Sequence, residues 1–309
     1  MRPSPAPPAG GLARGPAGPI IAVMTAERPA ARLFLDQNMD DAQVLSFAGG
    51  VAAVYSARHP EHDGANEDGA GVISVDDERG VLVVADGLGG QPGGASASQI
   101  ALRCLKKSVE RPANPDAPIR SAILDAVEQA NQSVMDLGIG AATTLAALEI
   151  TGPTLRPYHV GDSAILVVGQ RGKVKLQTVA HSPVGYAIEA GLLDEREAMH
   201  HDDRHLISNM VGTPDMRIEV GSRVELAPRD TALLATDGLF DNLSLREVVE
   251  IVRSRAIGLV SAELAQRCGQ RMRRAAEDRP SKPDDLTFVL FRPNGHHGPA
   301  SGNGGPVQA

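Results

Sequence analysis

The sequence is poor in aromatic residues and contains no tryptophan. Phe, Tyr and Trp together make up 3% of its 309 residues, whereas hydrophobic residues make up 42%. A folded core must therefore be built from Val, Leu, Ile and Ala, and the stacking platforms that bind single-stranded nucleic acid are disfavoured. The formal net charge of -8 disfavours polyanion binding in general. We therefore expect no nucleic-acid partner.

Cysteine is also scarce, and its two copies are Cys104 and Cys268. Both fall on apolar positions of helical patterns, which predicts buried free thiols and no disulfide framework. No apolar run reaches the length of a membrane span. The proline-rich N-terminal stretch has no continuous apolar segment, which disfavours a signal peptide. We expect a cytoplasmic, monomeric protein with no membrane partner.

Composition divides the chain into three parts. Residues 1–43 begin with a segment rich in Pro, Ala and Gly, which we predict to be mostly disordered because it cannot bury enough surface to offset its chain entropy. Residues 44–293 show no linker and no internal repeat, so they are predicted to form one domain. Residues 294–309 are rich in Gly, Pro and His and are predicted to be a disordered tail.

One stretch is especially informative, with the sequence VLVVADGLGGQPGG from Val81 to Gly94. Its apolar residues predict a buried strand that ends at Asp86 and the glycines after it. A carboxylate at the tip of a buried strand, followed by backbone that glycine adopts easily, can present an oxygen ligand to a cation. The same residues are also common in turns, so this motif alone leaves both interpretations open.

Acids recur at strand ends elsewhere in the chain. They lie in TALLATDGLF (Asp237), YHVGDS (Asp162), PDDLTFVLF (Asp284 and Asp285) and the triplet Asn66–Asp68. Carboxylates that converge would repel one another. A convergent cluster therefore implies cations, and hard cations that take oxygen ligands fit best.

Strands and helices occur in blocks. Helical stripes cover Ala95–Glu110, a segment after Asp116, a segment after a capping box at Ser244, and Ala262–Ala276. Closely spaced strands with glycine-bearing turns between residues 143 and 178 indicate an antiparallel meander. The predicted fold class is α+β, with antiparallel sheets and helices packed outside them.

The motifs stand in a recognisable series. They are NED at Asn66–Asp68, VADGLGG at Val84–Gly90, ATT at Ala142–Thr144, HVGDS at His159–Ser163, ATDGLFD at Ala235–Asp241 and DDLT at Asp284–Thr287. In this order, residues 44–292 resemble the metal-dependent protein phosphatase family (PPM, type 2C), bacterial branch. The resemblance implies a four-layer α-β-β-α sandwich with two central antiparallel sheets. It also implies a signalling hydrolase that removes phosphate from phosphoserine and phosphothreonine in a phosphorylated protein substrate.

The resemblance further implies two Mn²⁺ or Mg²⁺ ions and a third, weaker one. The metal ligands carried over by motif are Glu67, Asp68, Asp86, Gly87, Asp162, Asp237 and Asp284. Asp86 would bridge two metals, one of which the Gly87 carbonyl and the Glu67–Asp68 pair would also serve, directly or through water.

Asp237 and Asp284 would serve the other metal, and Asp162 would help to bind the third. The resemblance implies that Asp86, Asp237 and Asp284 are catalytic because they hold the cations that activate the nucleophilic water. Asp285 stands where the family often has Asn, so we expect it to have a supporting role at most.

The sequence departs from the family pattern at a phosphate-binding position. Many members have Arg four residues before the Glu of the NED motif, and this chain has Asp63 there. Arg58, His59 and His62 in the same loop are the replacement candidates for binding phosphate, and they could equally be surface loop residues. Some members have His where this chain has Leu88, which removes a candidate acid.

Two other functions stay open. A chain that kept the fold but lost turnover would be a regulatory binding module, and a cleft that prefers a free phosphosugar would be a small-phosphoester hydrolase. The polar run His200–His205 could bind metal by composition, but its residues lack tetrahedral ligand spacing, so we interpret it as a solvated segment. His181 either lines the cleft or turns the chain.

Overall fold

The computed structural model describes residues 31–294, except 89–92, 115, 195–196, 199–200, 254 and 275–279. Among these residues, the strands pair antiparallel throughout and form two sheets. The predicted disorder of the N-terminal 30 residues and of 295–309 concerns residues outside this described part.

The first sheet contains seven strands. They are β1 (Arg32–Leu35), β4 (Gly69–Ser74), β5 (Arg79–Ala85), β6 (Leu145–Thr151), β7 (Thr154–Val160), β10 (Glu219–Val220) and β11 (Val224–Glu225). Their order is β1-β4-β5-β6-β7-β10, and β11 also pairs with β7. The meander predicted from the sequence corresponds to β6 and β7 of this sheet and to two strands of the second.

The second sheet contains six strands. They are β2 (Gln43–Phe47), β3 (Gly50–Ala57), β8 (Ala164–Val168), β9 (Val174–Gln177), β12 (Thr231–Ala235) and β13 (Leu286–Pro293). Their order is β2-β3-β13-β12-β8-β9, so the strand that comes last in the chain lies in the middle of the sheet.

Helices cover the outer faces of the two sheets. Those in the described residues are α1 (Gly94–Glu110), α2 (Ile119–Met135), α3 (Pro183–Glu189), α4 (Asp237–Phe240), α5 (Leu245–Val252) and α6 (Ile257–Arg273). Helix α5 begins with the predicted capping box, in which Ser244 and Glu247 each bond the other's backbone N–H. Arg271 of α6 forms an ion pair with Glu247, which ties α6 to the start of α5.

Three apolar clusters show the layer order. One lies between α1, α2 and the first sheet, one between the two sheets, and one between the second sheet and α5 and α6. Strand β5 contributes to two of these clusters, because successive strand residues point to opposite faces. Val81 and Val83 face the helices, while Leu82 and Val84 face the other sheet. The predicted four-layer α-β-β-α sandwich is confirmed.

The folded part begins earlier than predicted. Strand β1 pairs with β4 through residues that we assigned to the 1–43 segment, so the boundary at Val44 is wrong. Phe34 is buried between the sheets, whereas Leu33 and Leu35 pack towards α1 and α2. A four-residue strand whose apolar residues face two different cores has no clear period, which is why the sequence pattern missed it.

The two cysteines are free, as predicted. Cys268 is buried in α6, and burial raises the pKa of its thiol to about 12. Cys104 is only partly buried, which corrects half of the prediction. In the part of the chain that the structure describes, no helix is both long and apolar enough to cross a membrane.

Candidate metal centre

In the first sheet, two acids lie side by side at one edge. Asp68 comes directly before β4 and Asp86 directly after β5. The two strands pair with Gly69 opposite Ala85, so the residues next to that pair are also neighbours. This register places the NED and VADG motifs together.

In the second sheet, three more acids meet in the same way. Strand β12 ends beside the first residue of β8 and close to the start of β13. Asp237 follows β12, while Asp162 and Asp284 lie just before the other two strands. Antiparallel pairing therefore brings these three motifs to one edge, although they are far apart in the chain.

Asp68 joins the acids of the two sheets. Its side chain is buried, at 3% exposure, and its Oδ2 accepts a hydrogen bond of 2.8 Å from the hydroxyl of Thr236. Burial raises the pKa of Asp68 well above its ordinary value, and the nearby carboxylates of Asp285, Asp237 and Asp284 raise it further. The bond from Thr236 acts in the opposite direction.

Asp86 lies among all these acids. Burial raises its pKa well above the ordinary value, and the charges of Asp68 and Asp237 add to the rise. Its backbone is held by the ATT motif: the Thr143 hydroxyl and the Thr144 amide donate to the Asp86 carbonyl at 2.7 and 2.8 Å. We call Asp68, Asp86, Asp162, Asp237 and Asp284 the acidic cluster.

Gly87 and Glu67 pack tightly beside the cluster. The Gly87 amide donates to the Glu67 carbonyl at 3.2 Å, and the Ser98 hydroxyl of α1 donates to the same carbonyl at 2.5 Å. A Cβ at Gly87 would lie 2.4 Å from the backbone of Gly94, so no larger residue fits. Burial, followed by the charge of Asp285, raises the pKa of Glu67.

Asp162 has a buried oxygen, Oδ1, without a hydrogen-bond partner among the described residues. Burial and then the charges of Asp237 and Asp241 raise the pKa of Asp162 to about 7. A buried carboxylate oxygen without a partner is a position that a cation or an ordered water would satisfy.

Asp241 and Lys282 belong to the site, and the sequence analysis gave them no role. Nζ of Lys282 lies 2.7 Å from Asp237, 2.9 Å from Asp241 and 2.9 Å from Asp284, measured to Oδ2 in each case. Burial lowers the pKa of Lys282, but the three carboxylates reverse this effect and raise it above its ordinary value. The one available signal was the spacing of Asp237 and Asp241, which puts both on one face of α4.

Asp285 organises the loops around the cluster. Its two carboxylate oxygens accept hydrogen bonds from the backbone amides of His59 and Glu67, each at 2.7 Å. Its own amide donates to Oδ1 of Asp284 at 2.9 Å. These contacts are of the supporting kind expected from the sequence.

The residues present fit hard divalent cations. The donors are carboxylate oxygens, which Mg²⁺ and Mn²⁺ prefer. Burial, and then mutual repulsion, raises the pKa values of Asp68 and Asp86, and Oδ1 of Asp162 has no partner in the described part. Cations at this edge would offset both effects, because an opposite charge favours the ionised carboxylate.

The three phosphate-binding candidates differ in their surroundings. Arg58 donates to Oδ1 of Asp36 at 2.9 Å and is engaged there in an ion pair. His59 and His62 stack with their ring centroids 4.1 Å apart. The bond from the His59 amide to Asp285 fixes this histidine pair next to the cluster.

A second group of possible metal ligands is formed by His159, His181 and Glu219. Nδ1 of His181 lies 3.1 Å from the Gly161 amide and 2.7 Å from Nδ2 of Asn209, and both of these groups are hydrogen-bond donors. Nδ1 therefore accepts hydrogen bonds, and the ring proton is on Nε2, which faces Glu219. A protonated Nε2 cannot ligate a metal. We therefore interpret this group as a structural hydrogen-bond network, in which His181 is buried and anchors the chain.

The polar run predicted to be a solvated segment is described from residue 201 onwards. Asp202–His205 forms a short 3-10 helix, and Asp202, Asp203 and His205 are exposed. His200 lies outside the described residues.

A cavity of about 370 Å³ adjoins the acidic cluster. Asp162, Asp237 and Asp241 form its polar end. Apolar side chains of β8, α3 and the start of α5 line much of the rest of its wall, together with polar residues that include Gln177, Glu189 and Arg204. The site is therefore open on one side to a mixed polar and apolar space.

A family model described as protein phosphatase 2C matches residues 57–277, which is most of the chain. The chain therefore belongs to the protein phosphatase 2C family. A relative named putative protein phosphatase 2C-type, from Streptococcus pyogenes, is 31% identical over 193 residues, which cover 60% of this chain and 78% of the relative.

Solved structures agree in fold. The serine/threonine phosphatase of S. agalactiae superposes with a TM-score of 0.67 at 24% identity, over 78% of this chain and 98% of that one. The catalytic domain of the serine threonine protein phosphatase PstP, in complex with two manganese ions, gives 0.63 at 23% identity, over 78% and 96%. At these identities the likeness concerns the fold alone.

Proposed function

We propose that this chain is a metal-dependent protein serine/threonine phosphatase. The observation that carries the proposal is the meeting of five aspartates from both sheets at one edge, with raised pKa values for Asp68, Asp86, Asp162 and Asp284. The family membership supports it, and so do the relatives named serine/threonine phosphatase.

The acidic cluster would hold two Mn²⁺ or Mg²⁺ ions. Asp86 lies between the acids of the two sheets and would hold both ions. Glu67, Asp68 and the Gly87 carbonyl would complete one position, and Asp237 and Asp284 the other. Asp162 would contribute to a third, weaker position.

The reaction is hydrolysis of the phosphate ester by water. When bound, the cations supply the Lewis acidity that activates water and offsets charge on the phosphoryl oxygens. The chain keeps the carboxylates in place: Thr143 and Thr144 fix the Asp86 backbone, and Asp285 fixes the His59 and Glu67 loop.

No side-chain nucleophile is needed for this chemistry. Cys268 is buried, and the pKa of its thiol is raised to about 12, so it stays protonated at neutral pH. Burial also raises the pKa of Cys104, which lies on α1 in the helix layer. Both thiols therefore lack the lowered pKa of a reactive cysteine.

The experiment that tests the proposal is phosphate release from a phosphothreonine peptide while Mn²⁺ is titrated in. We expect turnover by the wild type and at least a tenfold loss in Asp237→Asn, since even the loss of a residue that hydrogen-bonds to a metal ligand costs about 10–100-fold in metal affinity or activity. Asp215→Asn removes an equal charge at an exposed site and serves as the control.

Two results of this experiment would contradict the proposed phosphatase function. Absence of turnover in the wild type, with calorimetry still showing Mn²⁺ binding, would favour a regulatory binding module. Two observations favour that second candidate: the chain has Asp63 where many members have Arg, and Lys282 lies among the ligands. Faster turnover of a free phosphosugar than of the peptide would favour a small-phosphoester hydrolase.

The partner and location expectations come from the sequence alone and stay predictions. We infer a monomer that acts on phosphorylated proteins in the cytoplasm without binding nucleic acid. Light scattering would check the oligomeric state, and cell fractionation would check the location.

A further inference from the structure

Lys282 holds its ammonium group among three carboxylates of the proposed metal site. Nζ lies within 2.7–2.9 Å of Asp237, Asp241 and Asp284. An ammonium has three N–H donors, and each finds one carboxylate oxygen here. Asp237 and Asp284 are also the residues proposed to hold the second divalent cation, so this inference rests on the proposed function.

The backbone of Lys282 is fixed for this role. Its amide donates to Oδ1 of Asn242 at 3.0 Å, and Nδ2 of Asn242 donates to its carbonyl at 2.7 Å. Asn242 is fully buried and also donates to the Gly238 carbonyl of α4 at 2.9 Å. The Ser281 hydroxyl donates to the carbonyl of Arg271 at 2.8 Å. The position of the lysine relative to α4 is thus set by a buried amide.

The ammonium and a divalent cation compete for the same oxygens. Both are positive, and the lone pairs that face Nζ are the ones that a metal at Asp237 and Asp284 would use. The lysine stem is flexible and its side chain is 31% exposed, so it can move away while the backbone stays bound to Asn242. Entry of the second cation therefore requires the ammonium to leave.

We propose that Lys282 is a built-in competitor for the second divalent cation. It occupies the second position in the metal-free protein, keeps Asp237, Asp241 and Asp284 together there, and makes the second ion bind more weakly than the first. Occupancy of the second position then depends on the cation concentration around the protein.

The test is calorimetric titration of Mn²⁺ into the metal-free full chain. We compare the wild type with Lys282→Met and with Lys282→Gln, whose side chain keeps polar donors. Lys106→Met is the matched control, because Lys106 is also ion-paired and similarly exposed, at 32% against 31% for Lys282. Circular dichroism of each metal-free variant checks that it is folded.

We expect both Lys282 variants to bind the second Mn²⁺ at least tenfold more tightly, while Lys106→Met behaves as the wild type. Unchanged or weaker second-site binding in both would overturn the proposal and show that Lys282 organises the ligands. If no variant, nor the wild type, binds any Mn²⁺, the proposed phosphatase function fails as well.

A second measurement covers the case in which the variants do not fold without metal. The wild type is labelled at lysine Cε and titrated with Mg²⁺, which is diamagnetic. We expect the Lys282 signal to narrow to that of a mobile side chain as the second position fills, whereas the Lys106 signal stays unchanged. If the Lys282 signal stays broad when the protein is saturated with Mg²⁺, the metal does not displace the ammonium and the proposal is contradicted.

Discussion

The hydroxyl of Thr236 donates a hydrogen bond to Oδ2 of Asp68 at 2.8 Å and so joins the two sheets beneath the acidic cluster. The same hydroxyl oxygen accepts a hydrogen bond of 3.2 Å from the backbone amide of Thr287 on β13. One hydroxyl thus sets the distance between an acid of the first sheet and the strand ends of the second.

We expect Thr236→Val to weaken the site without changing its charge. The variant leaves a buried carboxylate short of one donor, which costs about 1–3 kcal/mol of unfolding free energy. It should also weaken Mn²⁺ binding, because Asp68 loses the bond that favours its ionised form. Urea unfolding and calorimetry measure both effects. Thr154→Val, at the β6–β7 turn, is the control. An equal loss of unfolding free energy and Mn²⁺ affinity in this control would refute the role assigned to Thr236.

Gly238→Ala should push Asp237, at the start of α4, away from Asp284, and these two residues are proposed to hold the second cation. A Cβ at Gly238 would lie 1.9 Å from the carbonyl oxygen of Asp285. We expect a loss of about 1–3 kcal/mol or more in unfolding free energy, as overpacking produces. The nearest atom to a Cβ at Gly258 is 3.8 Å away, so Gly258→Ala is the matched control and should keep or raise stability. A normal Tm for Gly238→Ala would contradict the contact.

The stability of the metal-free protein should depend on pH through Asp162. Its pKa is raised to about 7 in the folded state, so the folded state binds this proton more tightly than the unfolded state does. The resulting stabilisation is complete below the unfolded-state pKa of about 4 and is lost as the pH rises through about 7.

We therefore expect the wild type to lose unfolding free energy, relative to Asp162→Asn, as the pH rises through that range. Urea unfolding in the presence of a chelator, at several pH values, measures the difference between the two proteins. A difference that stays constant over the range would show that Asp162 does not titrate as described.

Among the phosphate-binding candidates, we expect His59 to matter more than Arg58. Arg58 is paired with Asp36, whereas the amide of His59 is bound to Asp285 beside the cluster. His59→Ala should raise KM for a phosphopeptide several-fold with a smaller change in kcat. Arg58→Ala should leave KM within about twofold, since an exposed ion pair contributes about 0–1 kcal/mol. The reverse order of effects would assign phosphate binding to Arg58.

The layers and the acidic cluster could be predicted because short motifs carry them. Each acid is adjacent to a recognisable strand, and antiparallel pairing then brings the strand ends together. Lys282 could not be predicted in this way. Its place depends on a buried amide, Asn242, that lies 40 residues earlier in the chain, and no local pattern records that contact. The start at β1 was missed because Leu33, Phe34 and Leu35 divide between two cores.

Strand β13 follows every other described strand in the chain, yet it lies between β3 and β12. It also brings Asp284 and Asp285 to the site. During synthesis, β3 and β12 leave the ribosome with an unfilled gap between them. The second sheet can close only after residue 293 has emerged, so a nascent chain that is shorter cannot assemble the second cation position. We therefore expect a chain that ends before β13 to lack activity, and activity to begin only when this last strand enters the sheet.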